Sequence, residues 1–413
     1  MTLDVAAIRA DFPIFERKID GKPIVYLDSG ATSQKPRAVL DAMDDYYRNH
    51  SASVNRGAYT LAAEANDLVD EARELVAQFI GAPNTHEIIF TKNATEAANL
   101  FVQSWGRANL SEGDVVVITE MEHHANIVPW HMLRESIGIE LRWIPITDSG
   151  ELDLSNLDAL LDGAKVVSVT AMSNVLGTMN PIRRLADAAH AVGAIMMADG
   201  SQFVPHVPTD VVEMGVDALI FTGHKMLGPT GVGVLWGTTE LLEAMPPFLG
   251  GGDMIMQVTK EGFTTNVLPH KFEAGTPMVA EIIGLGAAVK YLENIGMENV
   301  REHEVSLTAY AMRSLNERFG DDITIHGPSE PASRGGLLSM AYKDVHPHDL
   351  SQVLDQANVA VRAGHHCAKP LMQVMGVNST ARASLHVYND ESDIDALADA
   401  LESADDIFGG LGF

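Results

Sequence analysis

The sequence predicts an α/β fold in which a mostly parallel sheet is covered by helices on both faces, followed by a smaller α+β unit. Three observations carry this. Short apolar runs alternate with amphipathic helical patterns over most of the chain. Residues able to do chemistry fall just after those runs, where parallel sheets place their ligands. Finally, 413 residues with 46% hydrophobic content and 35 glycines suit a two-domain globule.

In chain order, residues 5–10 form a short helical pattern stopped near Pro13, and residues 24–27 read as a strand ending in the polar turn Asp28-Ser29-Gly30-Ala31-Thr32. Apolar positions at Leu61, Ala65, Leu68, Ala72, Leu75, Phe79 and Ile80 approximate a 3.6-residue period, and Gly81 stops that helix. Residues 87–91 are the next strand and a helix opens at Thr95. The intervening Lys92-Asn93-Ala94 brings backbone N–H groups and a hydroxyl to a helix N-terminus, an arrangement that suits phosphate and equally a simple threonine cap.

Strands are expected at 115–118, 140–144, 166–170, 194–198 and 216–221, with helices through 130–133 and over 182–191. Asp199-Gly200-Ser201-Gln202 follows one strand, and Thr222-Gly223-His224-Lys225 follows another ahead of the turn at 228–231. The glycines at 250–252 predict a bend, Phe272–Pro277 a loop, and the helix after it runs to about Leu292. A boundary is placed near Ile295-Gly296, giving an N-terminal segment 1–22 that packs with the small domain, a large domain 23–295 and a small domain 296–413. The latter should hold helices at 302–318 and 349–354, strands at 336–342, 359–361 and 381–387, and a closing acidic helix from Glu391.

Net charge is −28, from 56 acidic and 28 basic side chains, which argues against nucleic acid or an anionic membrane as partner. That excess suits high salt, so a halophilic host is expected, an ordinary acidic enzyme being the alternative. Apolar runs such as 194–198 fall far short of the roughly 20 residues of a membrane span, and no apolar targeting segment opens the chain, so a cytoplasmic location is expected. A single cysteine, Cys367, excludes an internal disulfide and a cysteine-based zinc site; no metal site is expected.

A lysine beside so apolar a run as 216–221 should be partly desolvated, which favours its free amine and its condensation with a carbonyl. Lys225, the strand-end Asp199 and the helix N-terminus at Ala94-Thr95 supply the three anchors of pyridoxal 5'-phosphate: a Schiff-base amine, a partner for the protonated ring nitrogen and an anion cradle. The strings YLDSGATSQKP (26–36), EHHANIVPW (122–130), SNVLGT (173–178), DGSQ (199–202), GHKMLGPTG (223–231), FEAGTP (272–277), VRAGHHCAKPLM (361–372) and RASLHVYN (382–389) then carry a resemblance. The chain resembles group II cysteine desulfurases of the SUF iron–sulfur assembly system, which are class V aminotransferases of fold-type I.

The resemblance implies a seven-stranded, mostly parallel sheet in the large domain, a homodimer, and conversion of L-cysteine to L-alanine with a persulfide on Cys367. It also implies a role for each matching residue. Lys225 holds the cofactor, Asp199 its ring nitrogen and Gln202 its ring hydroxyl; Ala94, Thr95, Thr222 and His224 hold the phosphate, with Thr276 reaching from a second subunit. His123 stacks on the ring and relays protons, while Asn174, Arg382 and Arg56 bind the substrate carboxylate. Cys367, in the polar loop Ala363-Gly364-His365-His366-Cys367, is the nucleophile, since thiolate is the reactive form. A sulfur-acceptor protein takes the persulfide; if zinc-bearing, it would meet His346 and His348. Departures are Tyr59 where relatives commonly have histidine, Thr222 in place of serine, and Ser29-Gly30. Selenocysteine lyase, or another class V lyase or transaminase, is the alternative activity, and a colourless binding protein the alternative of another class.

Overall fold

The structure is a computed structural model describing residues 3–55 and 57–408. Its centre is a seven-stranded sheet of β1 (Ile88–Thr91), β2 (Val115–Thr119), β3 (Glu140–Ile144), β4 (Ala164–Thr170), β5 (Ile195–Asp199), β6 (Ala218–Thr222) and β7 (Gly233–Gly237). The spatial order is β1-β7-β6-β5-β4-β2-β3. All neighbours are parallel except β7, which runs antiparallel to both β6 and β1.

Alternate side chains of each strand enter opposite cores, as a pleat requires when both faces are covered. Val117, Val169, Leu219, Phe221 and Val234 pack on one face with residues of the helices Thr60–Phe79, Ile182–Ala191 and Val279–Ile295. Val116, Ile118, Ile220 and Leu235 pack on the other with residues of Ala94–Phe101 and Val128–Ile137. Strand β7 is one the sequence reading did not anticipate: its glycines merge with the preceding turn, and Val234, Leu235 and Trp236 are too short a run to stand out. The same is true of the exposed hairpin Ile255–Val258 and Phe263–Thr265.

A second, four-stranded antiparallel sheet orders Ile323–Ile325, Leu337–Tyr342, Thr380–Ser384 and Arg362–Gly364. Leu307, Leu315, Leu350, Leu354, Leu397 and Leu401 cover it from the helices Met297–Phe319, Pro347–Gln356 and Glu391–Phe408. The first of these begins at Met297 rather than 302, directly after Gly296 at φ +87°. The strand expected over 381–387 stops at Ser384, because Asn389 Oδ1 accepts the His386 amide (2.9 Å) and turns the chain. Val25–Tyr26 lies outside the central sheet, paired in parallel with Val359–Ala360.

Candidate active site

Parallel β2, β4, β5 and β6 all end on one edge of the sheet, and that edge opens into a cavity of about 210 Å³. Asp199 is the last residue of β5 and Thr222 the last of β6; the short turn Gly223–Lys225 then swings Lys225 over the edge. The cavity is lined by Ala94, Thr95, His123, Asn174, Asp199, Gln202, Thr222, His224, Lys225, Cys367 and Arg382, all anticipated from sequence. Gly30, noted from sequence only as a departure from the family pattern, and Arg362, not singled out, line it too.

Two anticipated residues are not in this set. Thr276 sits in a different crevice with Phe90, Glu96 and Phe248, and Arg56 lies outside the described residues. Tyr59 is exposed at the head of the helix Thr60–Phe79.

At the open end of the helix Ala94–Phe101 the capping side chain belongs to Asn93, whose Oδ1 accepts the Glu96 amide (2.9 Å). This corrects the threonine-cap alternative, and it leaves Ala94 and Thr95, the first two residues of the helix, lining the cavity without serving as its cap. Close by, Gly233 of β7 allows strand and helix to touch: a Cβ there would come within 2.4 Å of the Asn93 carbonyl carbon.

Burial holds the Lys225 ammonium down to about 8, with Asp199 pulling the other way. Burial first, and then the charge of Lys225, lowers His123 to about 3 and His224 to about 4, so both imidazoles are neutral. The Ala125 amide donates to His123 Nδ1 (3.1 Å), which assigns the ring hydrogen to Nε2. Asp199, 4% exposed, accepts the Ser201 amide (2.9 Å) through Oδ1. Gln202 donates from Nε2 to the Gly30 carbonyl (2.7 Å), which orients its Oε1 as an acceptor.

Arg382 is fully buried, and burial lowers it to about 10, so it remains cationic. It donates to the Asn174 carbonyl (2.7 Å) and pairs with Asp28 (3.5 Å); Arg362 meets the other Asp28 oxygen at 3.2 Å. Asn174 is itself turned to the cysteine loop, donating Nδ2 to the His366 carbonyl (2.6 Å).

Cys367 is exposed and lines the same cavity. Neither adjacent imidazole is hydrogen-bonded to its sulfur: His365 Nδ1 accepts the Cys367 amide (3.1 Å), and His366 Nε2 meets the Thr380 hydroxyl (2.9 Å). His366 and Cys367 have φ of +49° and +54°, unusual for residues with a Cβ.

The residues fit pyridoxal 5'-phosphate. Gln202 Oε1 and Thr222 Oγ1 are buried without hydrogen-bond partners among the described residues, and burying such atoms unpaired is costly, so the cavity asks for a polar guest. An amine, a carboxylate and a helix N-terminus line the same cavity, the three kinds of group that the cofactor's aldehyde, ring nitrogen and phosphate would need.

Sequence reading also passed over Lys35, Glu122 and Asp28. Burial lowers Lys35 to about 8, and it donates to the His224 carbonyl (3.1 Å). Glu122 is buried and pushed up to about 8, although it accepts from Thr119 Oγ1 (2.7 Å), Asn126 Nδ2 (2.7 Å) and the Thr170 amide (2.8 Å). These residues sit within strings quoted above, but no local pattern shows what they touch.

The family model for aminotransferase class-V matches residues 25–397. A probable cysteine desulfurase of Streptomyces coelicolor is 50% identical over 98% of both chains, and a cysteine desulfurase of Haloferax volcanii 47% identical over 98% of both. Among solved structures, the apo cysteine desulfurase of Thermococcus onnurineus has a TM-score of 0.93 at 36% identity, covering 99% of each chain. The cysteine desulfurase CsdA of Escherichia coli has a TM-score of 0.89 at 36% identity, covering 98% of this chain and 100% of its own. Matched along nearly its whole length in both sequence and fold, this chain belongs to the class-V aminotransferase family, beside its cysteine desulfurases.

Proposed function

We propose that the chain is a pyridoxal 5'-phosphate-dependent cysteine desulfurase that takes sulfur from L-cysteine and leaves L-alanine. The observation that carries this reading is one cavity lined by both a desolvated amine, Lys225, and an exposed thiol, Cys367. When bound, the cofactor supplies an electron sink next to the substrate α-carbon.

Lys225 Nζ would hold the cofactor's aldehyde and would serve as the base for the substrate α-proton; its lowered pKa leaves much of the amine neutral near pH 8. Asp199 would face the ring nitrogen, and His123 would lie over the ring with Nε2–H as the donor toward substrate. Thr95, the Ala94 amide, Thr222 and His224 would hold the phosphate. Arg382 would hold the substrate carboxylate: its Nε is buried and unpartnered among the described residues, and Asn174 and Asp28 fix the rest of the guanidinium. Cys367 Sγ attacks the substrate sulfur as thiolate. The S–Cβ electron pair stays with carbon and a new S–S bond forms; Cβ takes up the proton the substrate thiol loses and the α-carbon regains its own, so cysteine plus thiolate becomes alanine plus the deprotonated Cys367 persulfide.

The wider setting belongs to the same reading. A homodimer is supported by the place of Thr276, away from its own chain's cavity and so suited to a partner's site. The exposed, stacked rings of His346 and His348, 5.4 Å apart at a helix N-terminus, suit contact with a zinc-bearing acceptor of a SUF-type iron–sulfur pathway. The charge of −28 suits a salty cytoplasm, and no helix among the described residues is long and apolar enough to cross a membrane. The two sheets support a division near 295–296, with the cysteine loop on the second domain; Val25–Tyr26, paired with Val359–Ala360, moves the start of the large domain beyond 23, and Arg9, bonded to the Tyr388 carbonyl (3.0 Å) and Asp393 (2.9 Å), ties the N-terminal segment to the small one.

The test is alanine and sulfide production from L-cysteine under reductant. Cys367→Ser should keep the visible absorption of the bound cofactor and lose sulfide release, whereas Lys225→Ala should lose the lysine-linked absorption and turnover. Full turnover by Cys367→Ser would overturn the reading.

A further inference from the structure

The cysteine loop carries two consecutive residues, His366 and Cys367, in the left-handed region. Side chains with a Cβ occupy that region sparsely, so such a conformation persists only where the surroundings hold it. Part of the hold is internal to the small sheet and the loop. The Ala368 amide donates to the His365 carbonyl (2.9 Å), and His366 Nε2 is bonded to the Thr380 hydroxyl (2.9 Å).

The remainder comes from the segments after β4 and β2: Asn174 Nδ2 donates to the His366 carbonyl (2.6 Å), and His124 holds the chain at two further points. The His124 amide donates to the Cys367 carbonyl (2.7 Å), and His124 Nε2 accepts the Lys369 amide (3.0 Å). Its ring also lies 5.6 Å from that of His365, at 36°. His124 thus grips the backbone at Cys367 and again two residues later, from the loop that carries His123 over the cofactor site.

The Lys369 amide pointing at Nε2 assigns a lone pair to that nitrogen, and burial, with His365 and Lys369 adding to it, lowers the His124 pKa in the same sense. His123 and His124 then divide the work of one turn: the first faces the cavity, and the second faces the nucleophile's backbone.

We propose that His124 is a positioning residue for Cys367, its Nε2 clamping the Lys369 amide so that the strained loop presents the thiol toward Lys225. This rests on the reading of Cys367 as nucleophile. The role is set by an acceptor atom and not by bulk, so substitutions can separate it from packing.

The experiment uses the full-length, cofactor-loaded enzyme with His124→Gln, which offers an amide oxygen, and His124→Phe, which keeps a ring against His365 but has no acceptor. The readouts are kcat and KM for L-cysteine, the visible spectrum, hydrogen–deuterium exchange of peptides spanning 363–372, and the rate of Cys367 alkylation by iodoacetamide. For His124→Phe the expected result is a fall in kcat of roughly tenfold or more, KM and spectrum within about twofold, and faster exchange and alkylation confined to the loop. His124→Gln should recover most of kcat and slow the loop exchange again.

Wild-type kcat and loop exchange in His124→Phe would overturn the proposal. So would equal losses in both variants with exchange rising across the whole chain, because that is general destabilisation. Cys367→Ser measured alongside separates the levels: if it stays active, the reading beneath has failed, and if it is dead while His124→Phe is unimpaired, only the clamp has failed.

Discussion

Burial disfavours the charged forms of Lys225, Arg382 and the imidazoles of His123, His224 and His366 around the cavity, and each of these histidines links proton uptake to stability. His366 shows the sign. Burial lowers it to about 3 from an ordinary 6.5, Arg382 adding to the effect, and its ring is bonded to Thr380. A depressed base contributes stability that is complete above pH 6.5 and is lost as pH falls through about 3, because the unfolded chain takes up the proton first. Each such group costs up to about 1.4 kcal/mol per pH unit inside that window. His366→Gln keeps a partner for the Thr380 hydroxyl and cannot titrate. Its thermal midpoint should therefore fall less than that of the wild type between pH 6.5 and 4.5, and parallel curves would refute the assignment. Nothing local in Gly364-His365-His366-Cys367 indicates which imidazole is buried; that depends on Thr380, Asn174 and Arg382 arriving from elsewhere.

At the scale of elements, the contact that shapes the anion cradle is between β7 and the helix Ala94–Phe101. A Cβ on Gly233 would sit 2.4 Å from the Asn93 carbonyl carbon, 2.5 Å from its Cα and 2.8 Å from the Ala94 nitrogen, all backbone atoms that cannot rotate away. Gly233→Ala must therefore push the helix N-terminus off the sheet, at an overpacking cost of about 1–3 kcal/mol. Because that end is where the phosphate would lie, cofactor affinity should fall by roughly tenfold or more, measured by equilibrium dialysis of pyridoxal 5'-phosphate, while Gly250→Ala, with open space around it, should bind normally. The helix and β1 were legible from their periods, but β7 was not. Its role as an antiparallel insert between β1 and β6 follows from pairing across the sheet, which a five-residue glycine-flanked run does not announce.

For the molecule as a whole, 56 acidic against 28 basic side chains repel one another, and salt shortens the range of that repulsion from about 10 Å at 0.1 M to about 3 Å at 1 M. The thermal midpoint should rise by several degrees as potassium chloride is raised over that range; a flat response would argue against a high-salt setting. Charge, composition and the alternation of strands and helices are properties of the chain as written, since each depends on residues near one another along it, and they sufficed for the fold class, for Lys225 and Asp199 at strand ends, and, through resemblance, for the activity. What the tertiary structure alone decided is who meets whom across long separations. Arg382 and Arg362 share Asp28, His124 holds Lys369, Asn174 holds His366, and Thr276 stands outside the cavity of its own chain. The reason is physical: periodicity reports which face of an element is buried, whereas a contact between residues hundreds of positions apart exists only once the sheets have packed and the loops at their edges have been brought together.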